Sequence, residues 1–380
     1  MVHHRVLRAL STPLIGHLDP AFLSLMDDIQ DMLRTVFRTE NRFTIAISGT
    51  GSAGMEAALA NIVEPGDAVV VGMNGLFGSR MASIVERCGG TPIPIEAPWG
   101  SIIDPSAVAE TLTRLDSVKA LAVVHAETST GVWQPLEELG TLCRRHGALF
   151  VVDAVTSLGG LPVEVDAWGI DLCYSGTQKC LSCPPGLAPL TCSDRAMQVV
   201  RHRKNRCPSW YLDFSLIADY WADSKRAYHH TAPISMLYAL REALRLILEE
   251  GLDKRFARHR RHSEALLAGL ESLGFTPLPH DGERLPTLLC MTLPAFLDDA
   301  AVRRSLLHDY GIEIGGGLGA LKGKVWRIGL MGESSTPANI MALLTALETI
   351  FLSNGWSRRP GSSLEAAARV LAMDESSVSG

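Results

Sequence analysis

Between residues 43 and 174 the sequence alternates short, unbroken apolar runs with stretches patterned for helix, and few folds accept that order. "FTIAIS" is followed by "MEAALANIV" and "AVVVG" by "FGSRMASIVERCG"; then come "TPIPIE", "KALAVVH", "PLEELGTLCRRHG", "ALFVVDAV" and "IDLCYSG". A strand that is apolar at every position is buried on both faces, the condition of a parallel sheet covered by helices on either side. Ahead of the series, Phe22, Leu25, Met26, Ile29, Met32, Leu33 and Val36 recur at helical spacing, with Asp19 as N-cap and Pro20 in the first turn.

Beyond residue 232 the pattern changes to two long helices, "PISMLYALREALRLILEEG" and "LDKRFARHRRHSEALLAGLESLG", followed by isolated strands "TLLCMTL" and "KVWRIGL" and two further helices. The expected fold class is therefore α/β, with a large domain built on a mostly parallel sheet and a smaller C-terminal α+β domain. The expected divisions are an N-terminal segment over 1–19, the large domain over 20–250, the small one over 251–355 and a flexible tail over 356–380. Within the second long helix, "RFARHRRH" reads as a solvated face.

Of the 380 residues 47% are hydrophobic and 20% charged, with a net charge of −6, so no basic surplus points to nucleic acid. "MVHHRVLRALSTPLIG" has no signal-peptide core, and no later run reaches the roughly 20 apolar residues of a membrane span. The expectation is a cytoplasmic protein whose eight cysteines are reduced thiols.

"SGTGSAGMEAAL" sets Gly49, Gly51 and Gly54 in a G-x-G-x-x-G between a strand and a helix, the pattern of a dinucleotide loop. A dinucleotide fold needs an acid at the end of the next strand for the ribose, and "AVVVGMN" has none; Asp67 precedes that strand. The physics of the loop survives without the dinucleotide. Backbone N–H groups of Thr50, Gly51 and Ser52, two hydroxyls and a helix dipole make a nest for one phosphate monoester.

"YSGTQKCLSCPPGLAP" then places Lys179 just after an apolar strand. The lysine is a surface charge or the amine on which the chemistry is built, and Cys180 and Cys183 add a metal or redox reading. No second cysteine pair has zinc spacing, so no metal is expected and buried thiols are the better account. Asp153, at the carboxyl end of "ALFVV", points into the crevice where open α/β sheets bind ligands, and Lys179 follows at the same edge. Nest, carboxylate and lysine, in that order, answer the three demands of a cofactor with one phosphate, a pyridine nitrogen and an aldehyde. Arg327 in "KVWRIG" is suited to clamp a substrate carboxylate with two parallel hydrogen bonds.

The motifs "GHLDPAF", "SGTGSAGMEAAL", "EPGDAVVVGMNGLFG", "HAETSTGV", "VVDAVTSLGG", "YSGTQKCLSCPPGLAP", "WYLD", "YHHTAPIS", "IEIGGGLG" and "KVWRIGLMG" occur in this order over about residues 16–353. Together they resemble the class V aminotransferases, fold type I pyridoxal phosphate enzymes, close to alanine:glyoxylate and serine:glyoxylate (serine:pyruvate) aminotransferases. The resemblance implies pyridoxal 5'-phosphate joined to Lys179, with Asp153 on the pyridine nitrogen and the phosphate held by Thr50, Gly51, Ser52 and Gln178. It also implies Phe77 stacked on the ring, often a Trp in relatives, Val155 on the opposite face and Thr128 in contact. Tyr228 and Thr231 would serve a neighbouring subunit's phosphate, implying a homodimer with shared sites. The implied reaction moves an amino group from a small L-amino acid, alanine or serine, to glyoxylate or pyruvate by a ping-pong route. A lyase or another class V enzyme would use the same lysine; a cysteine desulfurase would also need a mobile cysteine, and none stands in a Gly/Ser-rich loop. A dinucleotide-dependent oxidoreductase is the alternative from another class. His125 reads as a satisfied strand-end histidine. Relatives begin with a Gly/Pro-rich segment that lines the substrate pocket, and "MVHHRVLRAL" lacks it, so either the pocket is open on that side or the start lies further upstream.

Overall fold

The computed structural model describes residues 1–221, 226–353, 355 and 359–373. Its strands are β1 (Phe43–Ser48), β2 (Ala68–Met73), β3 (Thr91–Glu96), β4 (Ala120–Val124), β5 (Ala126–Glu127), β6 (Val132–Trp133), β7 (Leu149–Asp153), β8 (Leu172–Tyr174), β9 (Leu187–Cys192), β10 (Thr276–Pro277), β11 (Leu288–Thr292), β12 (Gly315–Gly316) and β13 (Val325–Gly329). The helices of the first part are α1 (His4–Leu10), α2 (Pro20–Phe37), α3 (Gly51–Ile62), α4 (Leu76–Arg87), α5 (Pro105–Arg114), α6 (Glu137–His146), α7 (Asp194–Arg201) and α8 (Phe214–Tyr220). Those that follow are α9 (Ile234–Glu250), α10 (Leu252–Ser272), α11 (Asp299–Tyr310), α12 (Pro337–Ser353) and α13 (Ser362–Ala372).

Seven strands form one sheet in the order β1-β9-β8-β7-β4-β2-β3. Neighbours from β8 through to β3 are parallel, and β9 runs antiparallel to both β1 and β8. β9, "LAPLTC", was not expected as a strand. The chain between β8 and β9 carries the Lys179 turn and no crossover helix, and a return without a crossover can only pair antiparallel. The core around this sheet includes Ile45, Val70, Leu121, Val151 and Leu172, all buried. A second core, with Leu266, Met291, Trp326 and Leu344, lies between α10, α12 and the four-stranded sheet β10-β11-β13-β12.

Two expectations are corrected. The "RFARHRRH" stretch is not a solvated face: Arg255, His259 and His262 are buried at 5%, 0% and 7% exposure. They recur at i, i+4 and i+7, one stripe of the helix, and each meets backbone of another segment: Arg255 donates to Gly159 O, His259 Nε2 accepts from Gly332 N, and His262 Nδ1 lies at Ser335 O. Where a flexible tail was expected, Ser362–Ala372 form α13 with Ala367 fully buried, and residues 356–358 and 374–380 lie outside the described residues. The buried Glu348 carboxylate accepts from the N–H groups of Gly361 (2.6 Å) and Ser363 (2.8 Å), capping the start of that helix.

Candidate active site

The parallel strands deliver their carboxyl ends to one edge, and a cavity of about 250 Å³ opens there, far more than the roughly 30 Å³ share of one water. Thr50, Gly51, Ser52, Phe77, Thr128, Asp153, Val155, Gln178 and Lys179 line it together. Arg327, Tyr228 and Thr231 do not.

At one end stands the N-terminus of α3. Thr50 is its N-cap without a side-chain capping bond, and among the described residues nothing accepts from the N–H groups of Gly51 or Ser52. Orphan donors at a helix start, with the dipole behind them, are an anion site. The helix approaches β8 closely because residue 54 is glycine: a Cβ there would lie 3.2 Å from Tyr174 Cβ and 3.1 Å from that of Ala188. The residues expected to form a nest stand at this helix start; sequence reasoning missed Arg80, whose Nη1 lies 3.2 Å from Ser52 Oγ and whose guanidinium carbon is 5.0 Å from the Phe77 ring centre.

At the floor, Asp153 ends β7. Its Oδ1 accepts from Val155 N (2.8 Å) and its Oδ2 from the Tyr174 phenol (3.0 Å), and no cation pairs with it among the described residues. Burial pushes its pKa up to about 7, against these two donors. Lys179 rises from the turn after β8, half-buried, its amine without a hydrogen-bond acceptor among the described residues. Burial lowers its pKa first and the charge of Arg327 adds to that, while Cys180 and Asp153 oppose. Sequence order therefore converts into geometry: an acid held near neutrality and an unpaired amine face one cavity.

Phe77 is set by a residue that sequence reasoning passed over. The Glu127 carboxylate, fully buried, accepts from Phe77 N (3.0 Å), Ser129 N (3.0 Å) and Ser129 Oγ (2.6 Å), and Ser129 Oγ accepts from Leu76 N (2.9 Å). A carboxylate from β5 thus caps α4, whose own N-cap, Gly75, has no side chain. Gly75 is required, because a Cβ there would sit 2.4 Å from Glu127 Cδ. Arg327, half-buried on β13, donates through Nε to Gly316 O (2.8 Å) and through Nη1 to Thr128 O (3.4 Å), next to the cavity rather than in its wall.

Tyr228 is 61% exposed, with its phenol oxygen 3.3 Å from Thr231 Oγ1, so this pair lies on the surface outside its own chain's cavity lining. Beside it, the Nδ1 atoms of His229 and His230 face each other at 2.8 Å, and His230 Nε2 lies 2.7 Å from Ser48 Oγ. His125 is fully buried, with Nδ1 on Ser157 Oγ (2.9 Å) and Nε2 accepting from Trp133 Nε1 (2.8 Å). Burial lowers its pKa to about 3, so it stays neutral and satisfied. Cys180 and Cys183 are buried free thiols.

Residues 9–331 match the family model for class-V aminotransferases. The (S)-ureidoglycine–glyoxylate transaminase of Bacillus subtilis is 42% identical, over 97% of this chain and 92% of its own. Among solved structures, the alanine–glyoxylate aminotransferase from Nostoc sp. is 49% identical with a TM-score of 0.90, covering 92% of each chain. The pyridoxamine–pyruvate aminotransferase from Mesorhizobium loti is 30% identical with a TM-score of 0.92, covering 97% of this chain and 94% of the other.

Proposed function

The chain belongs to the class V aminotransferase family, and from that premise we propose that it uses pyridoxal phosphate to move the amino group of a small L-amino acid, alanine first, to glyoxylate. The observation that carries the reading is the unpaired Lys179 amine in one cavity with the buried Asp153 carboxyl and the uncapped start of α3. The residues fit the cofactor. Three features converge that a metal-free phosphorylated pyridine aldehyde needs: orphan N–H donors for the phosphate, an acid poised near 7 for the ring nitrogen, and an amine whose pKa is lowered.

When bound, pyridoxal phosphate supplies an aldehyde that takes up the amino group and a protonated ring that accepts the electrons left when the Cα–H bond breaks. Thr50, Gly51, Ser52 and Gln178 would hold the phosphate, Phe77 and Val155 would sandwich the ring and exclude water, and Thr128 would touch it. Asp153 would keep a proton on the ring nitrogen. Arg327 would bind the substrate carboxylate, bringing Cα within reach of Lys179, which as general base takes the α-proton and as general acid returns it. A lowered amine pKa serves this role, because only the neutral amine accepts a proton.

Tyr228 and Thr231, exposed and outside the lining of their own cavity, support a homodimer in which each chain completes the other's phosphate site. The cytoplasm is the proposed compartment; among the described residues no helix is long and apolar enough to cross a membrane. A second donor is favoured by one observation: a relative at 42% identity takes (S)-ureidoglycine, with the same acceptor. Half-reactions without acceptor, run with L-alanine, L-serine and (S)-ureidoglycine, decide among donors. Conversion by none of them, or full turnover by Lys179→Ala, contradicts the proposal.

A further inference from the structure

We propose that Tyr174 is a positioning residue for the transamination chemistry: its phenol, hydrogen-bonded to Asp153 Oδ2, holds the carboxylate in the orientation and charge state that leave the proton on the cofactor's ring nitrogen. The inference rests on the reading of Asp153 given above. Its geometry comes from the sheet. β7 and β8 are parallel neighbours in a register that pairs Asp153 with Tyr174, so side chains at the two positions leave the same face side by side. The phenol oxygen lies 3.0 Å from Oδ2, and Tyr174 is wholly buried. The ring cannot swing away, because α3 lies on it through Gly54, where a Cβ would approach Tyr174 Cβ to 3.2 Å and Cδ2 to 3.5 Å.

The hydroxyl does what a phenylalanine of the same shape could not. In this site a single proton has two claimants, the carboxyl and a basic ring nitrogen. Among the described residues two protein donors reach the carboxylate: the Val155 N–H, fixed by the backbone, and the Tyr174 phenol. Each hydrogen bond to the ionised carboxylate favours that form. Without the phenol the carboxyl keeps more of the proton, the ring carries less positive charge, and it accepts electrons from Cα less readily. Oδ2 also loses its anchor, so the carboxylate is held at one oxygen instead of two. Charges near the carboxylate from other elements are Glu127 on β5, which works against ionisation, Arg80 on α4, which favours it, and the Lys179 amine across the cavity, whose protonated form the carboxylate favours in turn; none hydrogen-bonds to it among the described residues.

The test is Tyr174→Phe, loaded with pyridoxal phosphate carrying nitrogen-15 in the ring. In the wild type the nitrogen resonance should lie at the protonated position at neutral pH, and in the variant it should move toward unprotonated pyridine. The half-reaction with L-alanine should slow about tenfold, the scale of one hydrogen bond to a charged group, with the donor's dissociation constant unchanged. A resonance that does not move overturns the inference, whether or not the rate falls, since a merely structural tyrosine would slow the enzyme without deprotonating the ring. A coupling test guards against misfolding: in an Asp153→Asn background, adding Tyr174→Phe should change neither rate nor resonance, and a full tenfold further loss there would also refute it. Failure of the underlying reading is separate and visible in the wild type, which would then acquire no visible absorbance with the cofactor; that result removes both.

Discussion

Replacing Arg255 by methionine should weaken the fold and slow the chemistry, although the side chain lies outside the cavity. Arg255 on α10 is 5% exposed; its Nε donates to Gly159 O (2.8 Å), its Nη2 to Cys180 O (2.7 Å), and its Nη1 to Glu250. Methionine fills much of the same space and loses the fork. Glu250 keeps Arg258, with Nε 2.5 Å and Nη2 3.0 Å away, so no carboxylate is orphaned. The 3–5 kcal/mol of a broken buried ion pair, about the usual range, is therefore an upper bound. Two buried carbonyls still lose a charged donor, at about 1.5 kcal/mol apiece, which sets the expected loss near 3 kcal/mol. Urea unfolding should show a lower midpoint with an unchanged slope. Because Cys180 follows Lys179, the same change frees the turn that carries the amine, and the alanine half-reaction should slow about tenfold or more from misplacement alone. A stability loss under about 1 kcal/mol, less than the lowest net worth of two such bonds, would refute the reasoning. So would a destabilised variant whose half-reaction keeps wild-type speed.

Other outcomes follow from the same geometry. Lys179→Ala should lose about a thousandfold or more of the half-reaction, the contribution of a placed general base, as read by stopped-flow absorbance. Arg327→Lys should raise KM for the amino donor about tenfold or more with a smaller change in kcat, because one ammonium cannot reproduce a planar two-bond clamp. Asp153 has its folded pKa raised from 3.8 to about 7, so the folded cofactor-free protein holds this proton more tightly than the unfolded chain, and stability is lost as pH rises from about 4 to 7. Asp153→Asn should remove up to about 4 kcal/mol of that slope, measured as the variant-minus-wild-type difference in urea unfolding across this window; an unchanged slope would show an ordinary carboxyl. Gly75→Ala, which drives a Cβ into Glu127, should displace Phe77 and weaken cofactor binding, whereas tight binding in the variant would remove Glu127 from the account.

Much of the fold was legible because burial on both faces leaves continuous apolar strands, and Asp19 and Pro20 mark the start of α2 where the structure has it. β9 was not legible, since "LAPLTC" carries a proline and its pairing depends on where the Lys179 turn sends the chain. By charge the stripe Arg255, His259 and His262 reads as solvated, although its helical period points inward. In the site, the nest, Asp153 and Lys179 could be placed together from sequence because all three follow strand ends at one edge of a parallel sheet. Tyr174 could not, because its role follows from the β7–β8 register. Glu127 lies within the motif "HAETSTGV", but only the fold reveals that it caps a helix some fifty residues back along the chain.

The central claim is that Lys179 carries pyridoxal phosphate and exchanges it with an amino donor. The measurement that tests it most directly is the visible absorption spectrum of the protein loaded with pyridoxal phosphate, before and after L-alanine is added without any acceptor. The account predicts a visible band that is absent in Lys179→Ala, bleaches with alanine and returns when glyoxylate follows. A protein that stays colourless with the cofactor, or a band that no amino donor bleaches, would contradict it.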